Sequence, residues 1–241
     1  MIYDIETSPN LAYVWGKYQQ DVIKFDKETE LLCLAWKWLG EKETHVAGRD
    51  KFTEDILSLQ LRNLFDEADI VIAHNGDRFD QRVGQAKMLE FGLDPPSPYK
   101  SIDTYRVAKR YFRLNSNKLD DLGEKLNLGR KVQTGGFALW LGCMNNDPKA
   151  WAKMKRYNIQ DVDLLEKVYL KLRPWIQNHP GLNVIDNRLE ACPKCGHDKL
   201  ESRGTYVTKT NTYRRYACKK CGGWSRSRVA DKTLDKVKLV N

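Results

Sequence analysis

The chain opens Met1-Ile2-Tyr3-Asp4-Ile5-Glu6-Thr7-Ser8-Pro9, an apolar run that carries two carboxylates and stops at a proline. As a β-strand it sends successive side chains to opposite faces, so Asp4 and Glu6 share one face while Ile5 points into a core. Two adjacent carboxylates repel each other unless a cation lies between them. Such a strand is either a solvated edge with incidental charge or one wall of a site for a hard cation such as Mg²⁺, which takes oxygen ligands. The choice depends on whether the chain supplies further ligands.

Periodicity extends the pattern. Apolar β-rich runs follow at residues 11–16, 31–38 and 44–47; with the opening strand they predict an antiparallel meander. Residues 52–68 have helical spacing, with Ile56, Leu59, Leu61, Leu64 and Phe65 on one side. Residues 69–74 read as a buried central strand. Helices are expected over 79–91, from an N-cap at Asp103 to Tyr111, over 118–126 and over 151–175, with a short strand at 99–102 and a basic, glycine-containing loop at 130–136. Strands first and βα units afterwards predict an α/β fold: a mixed sheet flanked by helices. The expected domains are 1–178 and 186–241, with no internal repeat or low-complexity tract.

Charge separates the two segments. Of the net +9, residues 186–241 carry 14 Lys/Arg against 6 Asp/Glu, leaving +1 for the rest. A basic segment on a balanced domain suggests an anionic partner, nucleic acid being the commonest. No run reaches the roughly 18 apolar residues of a membrane span. No signal-peptide pattern opens the chain. A cytoplasmic protein without membrane association is expected. Cys33 and Cys143 sit in apolar surroundings and read as buried thiols.

The other four cysteines form Cys192-Pro193-Lys194-Cys195-Gly196 and Cys218-Lys219-Lys220-Cys221-Gly222. A redox role is one reading of such pairs. Two knuckles joined by a hairpin, each with a glycine to permit the tight turn, point instead to one tetrahedral Cys₄ zinc. The segment looks like a zinc ribbon, closed and structural, with residues 200–216 supplying the hairpin. Its cations, among them Arg214, Arg215, Lys219 and Lys220, interleave with Tyr206, Tyr213, Tyr216 and Trp224. That mixture suits single-stranded nucleic acid; a protein-binding ribbon is the competing reading.

Further acids lie where the N-terminal domain could gather them. The stretch Asp69-Ile70-Val71-Ile72-Ala73-His74-Asn75-Gly76-Asp77-Arg78-Phe79-Asp80 runs from a buried strand through a turn into a helix, and α/β sheets place their sites at such strand ends. Phe79 is expected to anchor in the core and aim Asp80, while Asp77 reads as a turn residue. On the last helix Tyr157 and Asp161 are one turn apart on one face. Asp163 lies roughly 200° round the helix and reads as surface solvation.

Asp4-x-Glu6, Asn75-x-x-x-Phe79-Asp80 and Tyr157-x-x-x-Asp161, in this order, resemble the three motifs of the DEDD superfamily of 3′–5′ exonucleases, in its tyrosine branch. The resemblance covers about residues 1–175. It implies a ribonuclease H-like fold in which Asp4, Glu6, Asp80 and Asp161 hold two Mg²⁺ or Mn²⁺ ions and Tyr157 orients the attacking water. The implied products are nucleoside 5′-monophosphates, released from the 3′ end of single-stranded nucleic acid, DNA favoured and RNA possible. Thr7 and Asn75, beside the ligands, are candidate contacts to the terminal nucleotide. A polymerase or another replication or repair protein is a possible partner. A non-catalytic nucleic-acid-binding protein on a nuclease-like fold and a structure-selective endonuclease are the alternatives.

Overall fold

The structure, a computed structural model, describes residues 1–18 and 21–233. It divides into two compact units, Met1–Tyr169 and Leu170–Asn241. The division falls inside the last long helix, ahead of the break expected near residue 178.

The first unit is built on five strands: β1 (Ile2–Thr7), β4 (Leu31–Lys37), β5 (His45–Gly48), β6 (Ile70–Ala73) and β7 (Lys100–Asp103), in the order β5-β4-β1-β6-β7. The β1, β4 and β5 strands are antiparallel, and β6 and β7 run parallel to β1. The opening strand is thus the centre of a mixed sheet. Two short strands, β2 (Leu11–Tyr13) and β3 (Lys24–Lys27), form a separate two-stranded sheet among the described residues. The meander expectation is corrected here: residues 11–13 leave the main sheet, and β3 was not anticipated. The β1 ladder is already bulged between Glu6 and Thr7, and neither β2 nor β3 buries a face that would hold it to a core.

Helices α1 (Glu54–Glu67) and α2 (Asp80–Glu90) join a core with one face of the sheet. Its centre is aromatic. Tyr3 meets Phe65 edge-on at 5.0 Å, and Phe65 meets Tyr99 at 5.1 Å. Burying such side chains contributes about 1.5–3 kcal/mol each. On α1 the buried stripe is Leu57, Ser58, Leu61, Leu64 and Phe65. The predicted Ile56 and Leu59 are instead 46% and 44% exposed, because at 100° per residue they lie more than a quarter-turn off that stripe.

The remaining helices of this unit are α3 (Thr104–Tyr111), α4 (Leu119–Lys125), α5 (Phe137–Met144) and α6 (Pro148–Leu172). Residues 137–144 were not anticipated as helix. Leu139 and Cys143 of α5 join Trp151 and Met154 of α6 in a second core against Leu32 and Cys33. The α6 helix starts three residues before its expected position, since the Asp147 carboxylate accepts the Lys149 N–H at 2.9 Å and Pro148 fits a first turn. It ends at a 3₁₀ turn, Arg173–Trp175. Asp163 is not a surface solvation residue, as expected from sequence: it accepts Thr44 Oγ1 at 2.6 Å and Lys37 Nζ at 3.5 Å. That contact ties α6 to the β4–β5 region.

The second unit holds α7 (Leu182–Ile185) and a sheet of β8 (Leu200–Val207), β9 (Asn211–Cys218), β10 (Trp224–Arg226) and β11 (Lys232–Thr233), with β9 paired to the other three. Among the described residues no helix is long and apolar enough to cross a membrane.

Gly123 links fold and site. A Cβ there would lie 2.6 Å from the Gly129 carbonyl oxygen and 2.9 Å from Leu164 Cδ1 on α6. Gly123→Ala must therefore push α4 off α6, at a cost of about 1–3 kcal/mol in urea denaturation. Because Asp120 on α4 holds the Lys131 N–H at 2.7 Å, the same change should displace the 130–136 loop.

Candidate metal centres

The pleat of β1 sends Tyr3 and Ile5 into the aromatic core and leaves Asp4 and Glu6 on the face covered by α6. From α6, Asp161 reaches the same place. One carboxylate oxygen from each of Asp4, Glu6 and Asp161 lies within 4.8 Å of the others. Asp80, buried at the start of α2, stands beside them and raises the Asp4 pKa. Its Oδ1 accepts the Ile5 N–H at 3.2 Å, where β6 has ended and offers β1 no partner. Phe79 does not anchor Asp80 as expected; it is 42% exposed. The burial of Asp80 itself and the Ile5 amide set its position.

The electrostatics show what these acids lack. Burial first, then the charges of Asp80, Glu6 and Asp161, hold the Asp4 carboxyl well above the usual carboxylate range. Burial and Asp161 push Glu6 up to about 8. Asp80 rises to about 6, burial outweighing its amide hydrogen bonds. Burial also raises Asp161, although Lys131 and the Tyr157 hydroxyl pull it back. Asp161 Oδ1 is buried without a hydrogen-bond partner. Crowded oxygens short of positive charge, one of them orphaned, are the donor set a hard divalent cation takes, and these residues could hold one.

Two neighbours complete the acid site, neither singled out from sequence. Lys131, in the loop before α5, pairs its ammonium with Asp161 and stands 3.3 Å from Tyr157 Oη. Asn158, fully buried, donates to Asp4 Oδ2 at 2.7 Å and to the Asp4 carbonyl at 3.3 Å. Asn158 was detectable as the residue after Tyr157, on the α6 surface turned to β1. Lys131 carried no signal beyond a basic loop.

Of the other expected residues, Asp103 caps α3 through the amides of Tyr105 and Arg106 and also accepts the Asn75 N–H at 2.9 Å. It thereby fixes the turn after β6, where Asn75 has φ of 66°. Asp77 lies in that turn and pairs with Arg106 at 2.5 Å. Asn75 lines a groove of about 530 Å³ with His74, Arg78, Tyr105, Lys118 and Lys131. Burial lowers the His74 pKa to about 4, so its ring is neutral at physiological pH. Thr7 is partly buried at the β1 bulge.

In the second unit the sulfurs of Cys192, Cys195, Cys218 and Cys221 lie within 4.8 Å of one another. All four are free thiols. Cys192 and Cys221 are 3.8 Å apart and Cys195 and Cys218 3.6 Å, far beyond the ~2.05 Å of a disulfide. Four sulfurs about 2.3 Å from a tetrahedral zinc are about 3.8 Å apart, so the cluster could hold such an ion. Gly196 and Gly222 take φ of 67° and 72°, the left-handed turn each knuckle needs. Against the cost of burial, the amides of Cys221 and Lys220 bring the Cys218 thiol down to about 7. Lys194 is buried beside Cys221 and Cys192, where its ammonium would offset part of the −2 that four thiolates around a divalent ion would leave. Lys219 and Lys220 are exposed in the second knuckle, and Arg214 and Arg215 on β9.

A five-stranded mixed sheet flanked by helices, with acids converging on its central strand, is the ribonuclease H-like class of α/β fold. The chain belongs to the RNase H superfamily, whose model matches residues 1–173. Among solved structures it is similar to the family B DNA polymerase from the hyperthermophilic archaeon Pyrobaculum calidifontis, with a TM-score of 0.55 and 15% identity over 72% of this chain. It spans 24% of that polymerase, and at this identity the likeness is one of fold. No curated protein matches the sequence. Superfamily and fold together support a nuclease.

The acid site predicts a pH response. Glu6 and Asp80 hold protons in the fold that the unfolded chain, with ordinary values of 4.5 and 3.8, would release. Stability is therefore fullest in acid and declines as pH rises through 3.8 to about 6 for Asp80 and 4.5 to about 8 for Glu6. Without added divalent ion, Tm should fall by several degrees between about pH 5 and about pH 8, and saturating Mn²⁺ should remove most of the fall. A flat Tm without added ion, or a fall that saturating Mn²⁺ leaves unchanged, would contradict this account of the acids.

Proposed function

We propose that the chain is a metal-dependent 3′–5′ exonuclease that hydrolyses single-stranded nucleic acid, DNA in preference to RNA, to nucleoside 5′-monophosphates. The observation that carries this is the meeting of Asp4, Glu6 and Asp161 within 4.8 Å, with Asp80 beside them. In this reading the four carboxylates hold two Mg²⁺ or Mn²⁺ ions. When bound, such ions activate the attacking water and stabilise charge on the leaving oxygen of an in-line displacement.

The chain's own residues orient the rest. Burial and the neighbouring acids raise the Tyr157 pKa far above neutrality, so its hydroxyl stays protonated and positions the attacking water instead of taking its proton. Lys131 supplies fixed positive charge beside the phosphoryl oxygens. Asn158 holds Asp4 in one rotamer. The groove of His74, Asn75, Arg78, Tyr105 and Lys118 receives the 3′-terminal strand, its cations on phosphates, and Thr7 and Asn75 meet the terminal nucleotide. In the second unit Cys192, Cys195, Cys218 and Cys221 hold one structural zinc, and the basic hairpin adds to substrate binding.

A 5′-labelled single strand with Mn²⁺ or Mg²⁺ tests the reading. The parent should give a ladder shortening from the 3′ end. Asp4→Ala and Asp161→Ala should each lose at least about 10²-fold in rate, the scale on which one preorganised charge acts in an active site. Cleavage within the strand would make the protein an endonuclease. An intact strand with either metal on both DNA and RNA would make it a binding module.

A second variant separates chemistry from folding. Asp4→Asn preserves shape and the Asn158 contact but removes one of the repelling charges. It should abolish cleavage while raising the Tm of the protein without added divalent ion, because stability is being withheld by the site itself. Loss of both activity and Tm would mean that Asp4 is a structural residue.

A further inference from the structure

The sheet of the second unit carries a ladder of rings and guanidinium groups that the acid site does not use. Register places Tyr206 opposite Tyr213, Arg226 opposite Arg215, and Trp224 opposite Ala217. Residues two apart on a strand share a face, so all of these lie on one side of β9. The Arg226 guanidinium stands 3.9 Å from the Tyr213 ring centroid and 5.5 Å from that of Tyr206. The Arg215 guanidinium stands 4.8 Å from Trp224. The file runs Tyr206, Tyr213, Arg226, Arg215, Trp224 across three strands.

Its charge has no acidic partner among the described residues: neither Arg215 nor Arg226 has a carboxylate within 4.0 Å; Arg215 Nε donates to the Arg203 carbonyl and Arg226 Nη1 to that of Ser227. Arg214, on the opposite face, pairs with Asp231 at 3.6 Å, and Arg203 pairs with Glu201 at 2.9 Å. From residue 200 to 228 the sequence holds eight Lys/Arg and one acid, Glu201. The rings at both ends stay open, Tyr206 being 47% and Trp224 46% exposed.

Guanidinium groups held by carbonyls and rings but without a carboxylate favour an anion. Half-open rings in the same file demand a partner with flat apolar faces. Single-stranded nucleic acid supplies both at once, phosphates for the arginines and unpaired bases for the aromatic and guanidinium planes. A duplex offers phosphates but keeps its base faces stacked, and an acidic peptide offers charge without rings.

We propose that this file is a binding surface for single-stranded nucleic acid, with bases stacked on Trp224 and Tyr206 and phosphates on Arg215 and Arg226. The assignment rests on the substrate class proposed above but not on cleavage. It departs from the sequence expectation in that, of Arg214, Arg215, Lys219 and Lys220, only Arg215 lies in the file.

The test uses the full-length chain carrying Asp161→Asn, so that no strand is degraded, and fluorescence anisotropy with a labelled 20-nucleotide single strand. The same sequence as a duplex, and polyglutamate as a charged competitor, are the comparisons. Trp224→Ala should weaken single-strand binding about 5- to 150-fold, the equivalent of losing one stacked base, and Trp224→Phe should recover part of it. Arg226→Gln should weaken binding and reduce its salt dependence, whereas Arg214→Ala should do markedly less. Zinc content measured on each variant shows that the hairpin has folded; the exposed Tyr206→Ala stands in if Trp224→Ala loses metal.

The proposal is overturned if the folded ladder variants bind the single strand like the parent. It is equally overturned if duplex or polyglutamate competes as well as the single strand. Cleavage by the unmodified protein, assayed in parallel, reports on the acid site alone. A chain that cleaves but binds without the ladder fails this proposal only, and one that binds through the ladder but never cleaves fails the exonuclease reading only.

Discussion

Like charge crowded under a helix is the constraint on which the first unit depends. Asp4 and Glu6 are fixed on β1 by a pleat that must bury Tyr3 and Ile5 on its other side. Asp161 is fixed on α6 by a second core that includes Trp151 and Met154. Neither core can relax without unpacking large apolar side chains, so the carboxylates cannot move apart. Burial first, and for Asp4 and Glu6 their neighbours' charges as well, appears as raised affinity for protons. Any positive charge of suitable size lowers the energy of this arrangement. In the proposed metal site, selectivity for a divalent ion over a proton or an ammonium group would follow from the number of oxygens that can turn toward it at once.

Lys131 shows how the chain manages that repulsion from its own side. The loop that carries it has no helix or strand to hold it, yet Asp120 grips its amide and Asp161 its ammonium. An ammonium group satisfies one or two carboxylates, not four, and Asp161 keeps a buried oxygen unpaired even so. The lysine therefore offsets the charge in part and leaves a cation's worth of unmet coordination. In the proposed enzyme the same group would face a phosphate, and the loop would be the segment that adjusts between the two partners.

The sequence was most legible where function and local geometry use the same period. A two-residue alternation places Asp4 beside Glu6, and a four-residue spacing places Tyr157 above Asp161; both survive into the structure because a strand pleat and a helix turn are local facts. What escaped is what depends on distant contacts. Lys131 reaches Asp161 across 30 residues of chain. Asp163 finds Thr44 across 119, which no helical wheel of α6 alone could show. Phe79 and the α1 stripe failed for a related reason: an apolar side chain was assumed to be buried, whereas the neighbouring elements decide which face is covered. The β2–β3 hairpin has no core to join, so propensity predicted a strand at β2 but neither its exposed partner β3 nor the separate sheet they form.

The second unit solves a different problem with the same economy of charge. Its α7 buries no residue and most of β8 is exposed, so apolar burial alone gives little reason for the hairpin to fold, and four cysteines drawn together in the proposed metal site supply the missing free energy. A sheet that such a metal would organise from one end needs no packed layer over its faces. That freedom allows β9 to expose a file of arginines and rings that a hydrophobic core would have consumed. The arginines in turn keep the rings apart and ordered through cation–π contacts, each worth about 0.5–1 kcal/mol at an exposed site. The surface is therefore held in shape before any ligand arrives, and a strand laid on it would lose chain entropy of its own but require little ordering of the protein.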